Sequence, residues 1–279
     1  MSIADKLQGL IDGKQYVVDK VNQKTGSNFT IDSKWKDIGD TVGSYEGASG
    51  GSDYLALRVS GTPYEYSNSD ITSLVRAAFY YDNVITKASF ENVISVGYDS
   101  FCMCNNIQEI NLPKATTGDN YCFKNCYKLE NINIPNLKKV PYGAFSYNYK
   151  LKRINLPKAT GVGTSAFEGC RELESINFQS DIYSFDGNAF YNCYSLKAVI
   201  VGSKTMVNIW STNVFTNCYH ILGTVNETYN PNGDKDGYIY VPDTLVDSYK
   251  SATNWSAHAD QIKPLSELPQ EYKTLYGIE

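Results

Sequence analysis

Residues 121–135 read YCFKNCYKLENINIP, residues 143–157 read GAFSYNYKLKRINLP, and residues 165–178 read SAFEGCRELESINF. Laid over one another, they share a Phe, a Cys or Asn three places on, a Leu three further, and apolar residues at the ninth and eleventh places. Working outward, Phe recurs at 79, 101, 123, 145, 167, 190 and 215, at intervals of 22, 22, 22, 22, 23 and 25. The third-place column is Cys104, Cys126, Asn148, Cys170, Cys193 and Cys218; the sixth is Ile107, Leu129, Leu151, Leu173, Leu196 and Ile221. Self-similarity at such a period marks a stacked repeat architecture.

The ninth and eleventh places (Ile110/Leu112, Ile132/Ile134, Ile154/Leu156, Ile176/Phe178, Val199/Val201) alternate as a half-buried strand does. Pro113, Pro135 and Pro157 end the strand, since proline donates no ladder hydrogen bond. The chain then returns through Ala115, Leu137 or Ala159 and a bend containing Gly97, Gly143, Gly163 or Gly187. One such unit cannot bury its apolar side alone, whereas stacked copies make a continuous core, so the spacing predicts a solenoid with parallel strands on one face. Its ends are expected to be covered. DYLALRVS (53–60) reads as a first strand and the unit from Phe79, with Asp82 in the Cys column, as an atypical terminal coil. Tyr238-Ile239-Tyr240-Val241-Pro242 reads as a last strand, followed by Asp243 as N-cap of a helix over about 244–251.

The columns AFxxCxxLxxIxLPxxLxxV resemble the leucine-rich repeats of the BspA type, found in bacterial surface and phage-associated proteins. The stretch YIYVPDTLVDSYKSATNWSAHADQIKPL (238–265) is similar to the segment that often caps them. The resemblance spans about 79–268 and departs at Asp82 and Asn148. It implies an α/β leucine-rich repeat solenoid with strands on one face, a mostly irregular opposite face, an N-terminal helix and a C-terminal strand-helix cap. The expected division is 1–52, a helical attachment region and linker; 53–268, the solenoid with its caps; and 269–279, a C-terminal tail.

Ahead of the repeats, Ile3, Leu7, Leu10, Ile11, Val17, Val18 and Val21 fall near helical spacing, predicting an amphipathic helix over 2–23. As a heptad seam, Ala4-Leu7-Ile11-Lys14-Val18-Val21 is interrupted by one charge, and Gly9 and Gly13 weaken the helix. A coiled-coil trimer or dimer and packing against the chain's own solenoid both satisfy this face. The leader MSIADKLQGLIDGKQYVVDKVN resembles the start of phage or prophage tail-associated proteins that carry leucine-rich repeats downstream. The Gly/Ser-rich GDTVGSYEGASGG (39–51) reads as a loop or linker.

The chain's 279 residues suffice to bury a core without disulfides or metals. With 25 Lys+Arg against 30 Asp+Glu, a net charge of −5 and no basic run, no nucleic-acid partner is expected. No apolar run reaches the ~18 residues of a membrane span, and Asp5 and Asp12 leave the leader unlike a Sec-type export signal. The expected location is therefore a phage-tail virion, or the cytoplasm before assembly; an extracellular surface location follows if the chain is a fragment.

Chemistry is sparse. Six of the seven Cys sit in small-residue columns, and no CxxC pairs set up a zinc site, so neither metal nor cofactor is expected. Asn232-Gly-Asp234-Lys-Asp236-Gly237, with Asp243 twelfth, partly mimics a calcium loop, but no entering helix precedes it, so a tight turn is the expectation. With His220 and His258 the only histidines and no nucleophile motif, the chain reads as no enzyme.

What remains is surface, and the 23 Tyr are part of it. The fourth-place column (Asn105, Tyr127, Tyr149, Arg171, Tyr194, Tyr219) predicts an aromatic rib, either for recognition or for stacking between coils. On the strands, Glu109, Asn131, Lys152, Arg153 and Glu174 are expected to face outward and join that binding surface, while Asn111, Asn133, Asn155 and Asn177 form an amide ladder. The expected role is a non-catalytic recognition module. One form is a phage-tail protein binding a bacterial surface glycan or protein; the alternatives are a cell-surface adhesin or a structural spacer.

Overall fold

In the computed structural model the chain divides into two compact units, Met1–Tyr64 and Glu65–Glu279. Residues 63–279 are described, which is all of the second unit and the last two residues of the first. The leader helix, its seam and the strand at 53–60 lie outside the described residues.

Two parallel ladders run along the stack. The first consists of β1 (Tyr64–Ser67), β3 (Ile85–Ser89), β5 (Glu109–Asn111), β7 (Asn131–Asn133), β8 (Arg153–Asn155), β9 (Ser175–Phe178), β11 (Ala198–Val201), β13 (Tyr238–Val241) and β14 (Ile262–Pro264). The second joins β2 (Ser73–Leu74), β4 (Ser95–Val96) and β6 (Thr117–Gly118), then the bridges Val140–Val162 and Val162–Phe185, then β10 (Ser184–Phe185) and β12 (Asn208–Ile209). Register advances by one repeat per strand, as in Lys87↔Glu109↔Asn131 and Arg153↔Ser175↔Ala198↔Tyr238.

The phenylalanines stack ring on ring, with centroids 4.9–5.7 Å apart and planes within 15°, from Phe79 through Phe101, Phe123, Phe145, Phe167 and Phe190 to Phe215. All seven are buried. Two residues on either side of most of these rings the backbone is left-handed: Asp99 (φ 56) and Met103 (63) around Phe101, Ser165 (54) and Gly169 (73) around Phe167, Asn188 (59) and Asn192 (62) around Phe190. A non-Gly residue there costs about 1 kcal/mol or more, offset by amides turned along the stack, as in Tyr121 N–H to Tyr142 O (3.0 Å), Phe123 N–H to Ala144 O (2.9 Å) and Asn125 N–H to Ser146 O (2.9 Å). The bend glycines differ: a Cβ on Gly97 would lie 2.7 Å from the Arg76 backbone nitrogen, whereas at Gly187 it would meet open space.

The cysteine column is a hydrogen-bond ladder. Cys104, Cys126, Cys170, Cys193 and Cys218 each donate their thiol to the carbonyl of the phenylalanine one repeat back, at 2.9–3.1 Å. Burial pushes the Cys170 thiol up to about 12 and raises Cys126, Cys193 and Cys218 also, so the donating proton is retained. All seven cysteines are free. Asn148 inverts the pattern: its Oδ1 accepts the Cys126 N–H at 2.9 Å, and its buried Nδ2 finds no partner. Such an orphan costs about 1–3 kcal/mol. Asn148→Cys should therefore raise the urea midpoint, by the equivalent of about 1 kcal/mol; a lower midpoint would show that the accepted Cys126 bond outweighs the orphaned amide.

At the same repeat the strand ladder parts. β1-β3-β5-β7 form one sheet and β8-β9-β11-β13-β14 another. The amide ladder divides with it: Asn133 donates to Asn111 and Asn177 to Asn155, both at 2.7 Å, and among the described residues no bond joins Asn133 to Asn155.

The C-terminal cap departs from expectation in two places. Asp243 opens a 3-10 turn (Asp243–Leu245) ahead of a helix at Val246–Ser251, and its carboxylate accepts the Ser266 N–H at 3.1 Å instead of capping that helix. Ser266 follows the further strand β14, so the carboxylate ties two cap segments together. The segment 269–279 carries a helix, Gln270–Tyr276, that packs by Tyr272 and Tyr276, with Leu268 and Ile278, on Ala198, Ile200 and Tyr240. Ala198 and Ile200, which alternation places on the outer strand face, are thereby fully buried. Tyr249 and Trp255 close the core end: the Val207 N–H donates to Tyr249 Oη (2.9 Å) and Trp255 Nε1 donates to the Val207 carbonyl (2.7 Å). No helix among the described residues is long and apolar enough to cross a membrane.

Candidate recognition surface

The fourth-place side chains form one continuous stack along a margin of the solenoid. Tyr127 lies on Tyr149 with centroids 4.9 Å apart and planes 6° apart. The Arg171 guanidinium sits 4.4 Å above Tyr149 and 5.8 Å from Tyr194, which stacks on Tyr219 at 4.9 Å. Each interplanar contact is worth about 0.5–1.5 kcal/mol beyond burial, so the ring faces stack between coils, while Tyr127 stays exposed and Tyr149, Tyr194 and Tyr219 half-buried. Burial raises the Tyr127 and Tyr194 phenols, which remain protonated donors at neutral pH. Asn105 heads the column with its side-chain oxygen buried and unpartnered.

The strand residues gather beside the rib. Lys87 lies between Glu65 (3.4 Å) and Glu109 (3.6 Å), and Arg153 reaches Glu174 at 3.4 Å. A groove of about 560 Å³ runs over β1 to β8, lined by Glu65, Lys87, Glu109, Asn111, Asn131, Asn133 and Arg153 among others. A hollow of about 370 Å³ shares Asn131 and Arg153 with it and adds Glu130, Lys152 and the ion pair Lys150–Glu172. Lys150 directly follows Tyr149, so groove, hollow and rib adjoin. Glu109, Asn131, Lys152 and Arg153 are exposed and Glu174 is half-buried. The helix at Gln270–Tyr276 bounds this surface, the Tyr276 hydroxyl bonding Ser175 Oγ at 2.7 Å.

A second aromatic row escaped the column reading. Tyr98, Tyr121 and Tyr142 pack edge to face at 5.7 and 5.1 Å, with Arg76 over Tyr98 and Lys124 over Tyr121. These residues sit two or three places before the Phe, so a search fixed on one column passes over them.

The histidines and the calcium-like loop are structural. His220 places Nδ1 2.6 Å from Asp236 Oδ1 and Nε2 2.9 Å from the Tyr229 carbonyl; Lys197 holds the other Asp236 oxygen at 2.9 Å. Burial would raise the Asp236 carboxyl, but the bonds from Lys197 and His220 outweigh it and hold it low. Asp236 is thus committed to the side chains that hold the loop, and Asp243 to the cap. Among the described residues no three or more His, Cys, Asp or Glu converge to hold a metal ion.

His258 is buried against Phe215 at 5.3 Å, and burial, with Lys235 nearby, lowers its pKa below the ordinary histidine value of 6.5. A lowered folded pKa means the unfolded chain takes up the proton first, so stability is lost as pH falls below about 6.5. The urea midpoint should drop between about pH 7.5 and 5.5, and His258→Leu should flatten that part of the profile. An unaltered slope in the variant would assign the drop to other groups.

Repeated coils with a shared core, a closed end and an outward rib define the class: a parallel-strand solenoid that presents side chains on a rigid frame. The chain belongs to the BspA-type leucine-rich repeat family, whose repeat pattern it matches in six copies over residues 72–197 and 116–226. Among solved structures it is similar to the leucine-rich repeat protein of T. pallidum (20% identity, TM-score 0.51, covering 56% of this chain and 77% of that one). It is also similar to one from Bacteroides ovatus (27% identity, TM-score 0.45, covering 56% of this chain and 46% of that one). A leucine-rich cell surface protein from Faecalibacterium prausnitzii matches at 17% identity and TM-score 0.39, covering 52% and 49% of the two chains. No curated protein matches the chain.

Proposed function

We propose that this chain is a non-catalytic recognition module of a phage or prophage tail that binds a bacterial cell-surface glycan or protein. The observation that carries the recognition reading is the unbroken stack Tyr127–Tyr149–Arg171–Tyr194–Tyr219 beside the strand groove. It aligns large side chains with polar tips on a backbone that cannot yield, which lowers the entropy lost on binding. The leader's resemblance to tail-associated proteins supports the attachment role, and a trimer or dimer through residues 2–23 would turn weak contacts into avidity. The thiols, buried and protonated, offer no nucleophile.

Adsorption of the full chain to bacterial cells tests this reading. Alanine at Tyr127, Tyr149 and Tyr194 together should weaken it by about tenfold or more, the loss of a contact cluster worth at least ~1.4 kcal/mol. Unchanged adsorption would remove the rib from the binding surface, and failure of the native chain to adsorb would favour the spacer. Light scattering of the full chain beside a truncation lacking residues 1–25 tests oligomerisation, and detection in purified virions separates the tail protein from an adhesin.

A further inference from the structure

The second ladder carries an outward margin that the recognition surface above does not use. Ile94, Thr116, Lys138, Thr160 and Tyr183 follow one another rung by rung: each N–H after the first donates to the preceding carbonyl at 2.8–3.0 Å. Their spacing is therefore the strand repeat of about 4.8 Å. Lys114 and Lys158 occupy equivalent places two rungs apart, just after Pro113 and Pro157, and Lys138 and Lys139 come from the rung between. All four lysines are exposed.

On the strand face Lys87, Lys150 and Arg153 are ion-paired, while Lys152 beside them has no carboxylate partner among the described residues. Among the described residues none of the four margin lysines pairs with a carboxylate; Lys114 reaches only the Asn92 side-chain oxygen at 2.7 Å. Two neighbouring acids keep their charge but are held elsewhere: Glu91 accepts from Asn111, and Asp181 accepts the Lys204 N–H. Asp119 lies two places past Thr117 on the adjoining rung. The four lysines outnumber these carboxylates, so the margin is locally net positive on a chain of net charge −5. At the end of the column Tyr183 is 65% exposed and, unlike the tyrosines of both ribs, has no ring partner among the described residues.

We propose that this margin, Lys114, Lys138, Lys139 and Lys158 with Tyr183, binds an anionic glycan, a chain of sugar units bearing phosphate or carboxylate groups. The ammonium groups meet the anions and the free tyrosine face receives a sugar ring. The inference rests on the recognition reading and adds a ligand class and a second surface to it.

Titration of the full chain with polyphosphate, polygalacturonate and neutral dextran tests it. Binding to either polyanion, none to dextran, and a fall in affinity of about fiftyfold between 50 and 200 mM salt are expected for four neutralised contacts. Lys138→Glu with Lys158→Glu should weaken binding at least about tenfold. Lys250→Glu with Lys273→Glu, equal in net charge and carried by the C-terminal cap helices instead of the lysine row, should change it less than twofold. Tyr183→Ala should weaken polygalacturonate and spare polyphosphate. Failure of both polyanions to bind, equal losses in the two double variants, or a Tyr183→Ala protein with undiminished polygalacturonate affinity would overturn the proposal. Unimpaired cell adsorption by the Lys138→Glu/Lys158→Glu protein would overturn it and leave the recognition reading intact; a native chain that never adsorbs but still binds polyanions would do the reverse.

Discussion

Phe145→Ala is expected to cost about 3–5 kcal/mol of unfolding free energy, read from the urea midpoint at constant slope. The residue is fully buried and its ring lies 5.2 Å from both Phe123 and Phe167. Removing it opens a void whose walls are themselves stacked rings, held by turns with left-handed residues on either side, so neighbours cannot collapse inward without disturbing two further coils. Because solenoid stability is close to a sum of coil and interface terms, both interfaces of this coil weaken together. A loss below about 1 kcal/mol would mean that the rings fill space without bearing stability.

Trp255→Ala should be of similar size, about 3–5 kcal/mol, and more local. The indole packs on Phe185, Phe215 and Tyr249 and donates to the Val207 carbonyl. The variant removes the lid over the last phenylalanine and orphans a carbonyl on a buried residue. Hydrogen exchange should show amides of 207–215 and 246–262 opening before those of 101–167. Trp255→Phe should recover part of the packing and none of the bond, separating the two contributions. Uniform loss of protection along the whole chain would count against a locally closed end.

The periodic part of this molecule was legible in the sequence because each coil meets nearly the same surroundings as the next. Phe, Cys and Leu columns then repeat a single solution, and the strands, their ends at Pro113, Pro135 and Pro157, and the rib from Tyr127 to Tyr219 follow from them. What was not legible is what happens once. The helix at Gln270–Tyr276 covers Ala198 and Ile200, and nothing in the alternation of β11 distinguishes a strand face covered by a distant helix from one in water. The parting of the ladder between Asn133 and Asn155 has no signature in the residue types of the strands, although it coincides with Asn148 in the cysteine column. Asp243 reads as a helix N-cap, yet its carboxylate is taken by Ser266, which follows a strand that local pattern does not reveal.

The thiol ladder has a consequence for the living cell. Each sulfur is spent holding a carbonyl of the coil before it, with its proton in place. An oxidant or alkylating reagent can reach these atoms only after neighbouring coils come apart. Labelling of the column would therefore report on unwinding of the stack, and its slowness would gauge how long the stacked coils survive outside a reducing compartment.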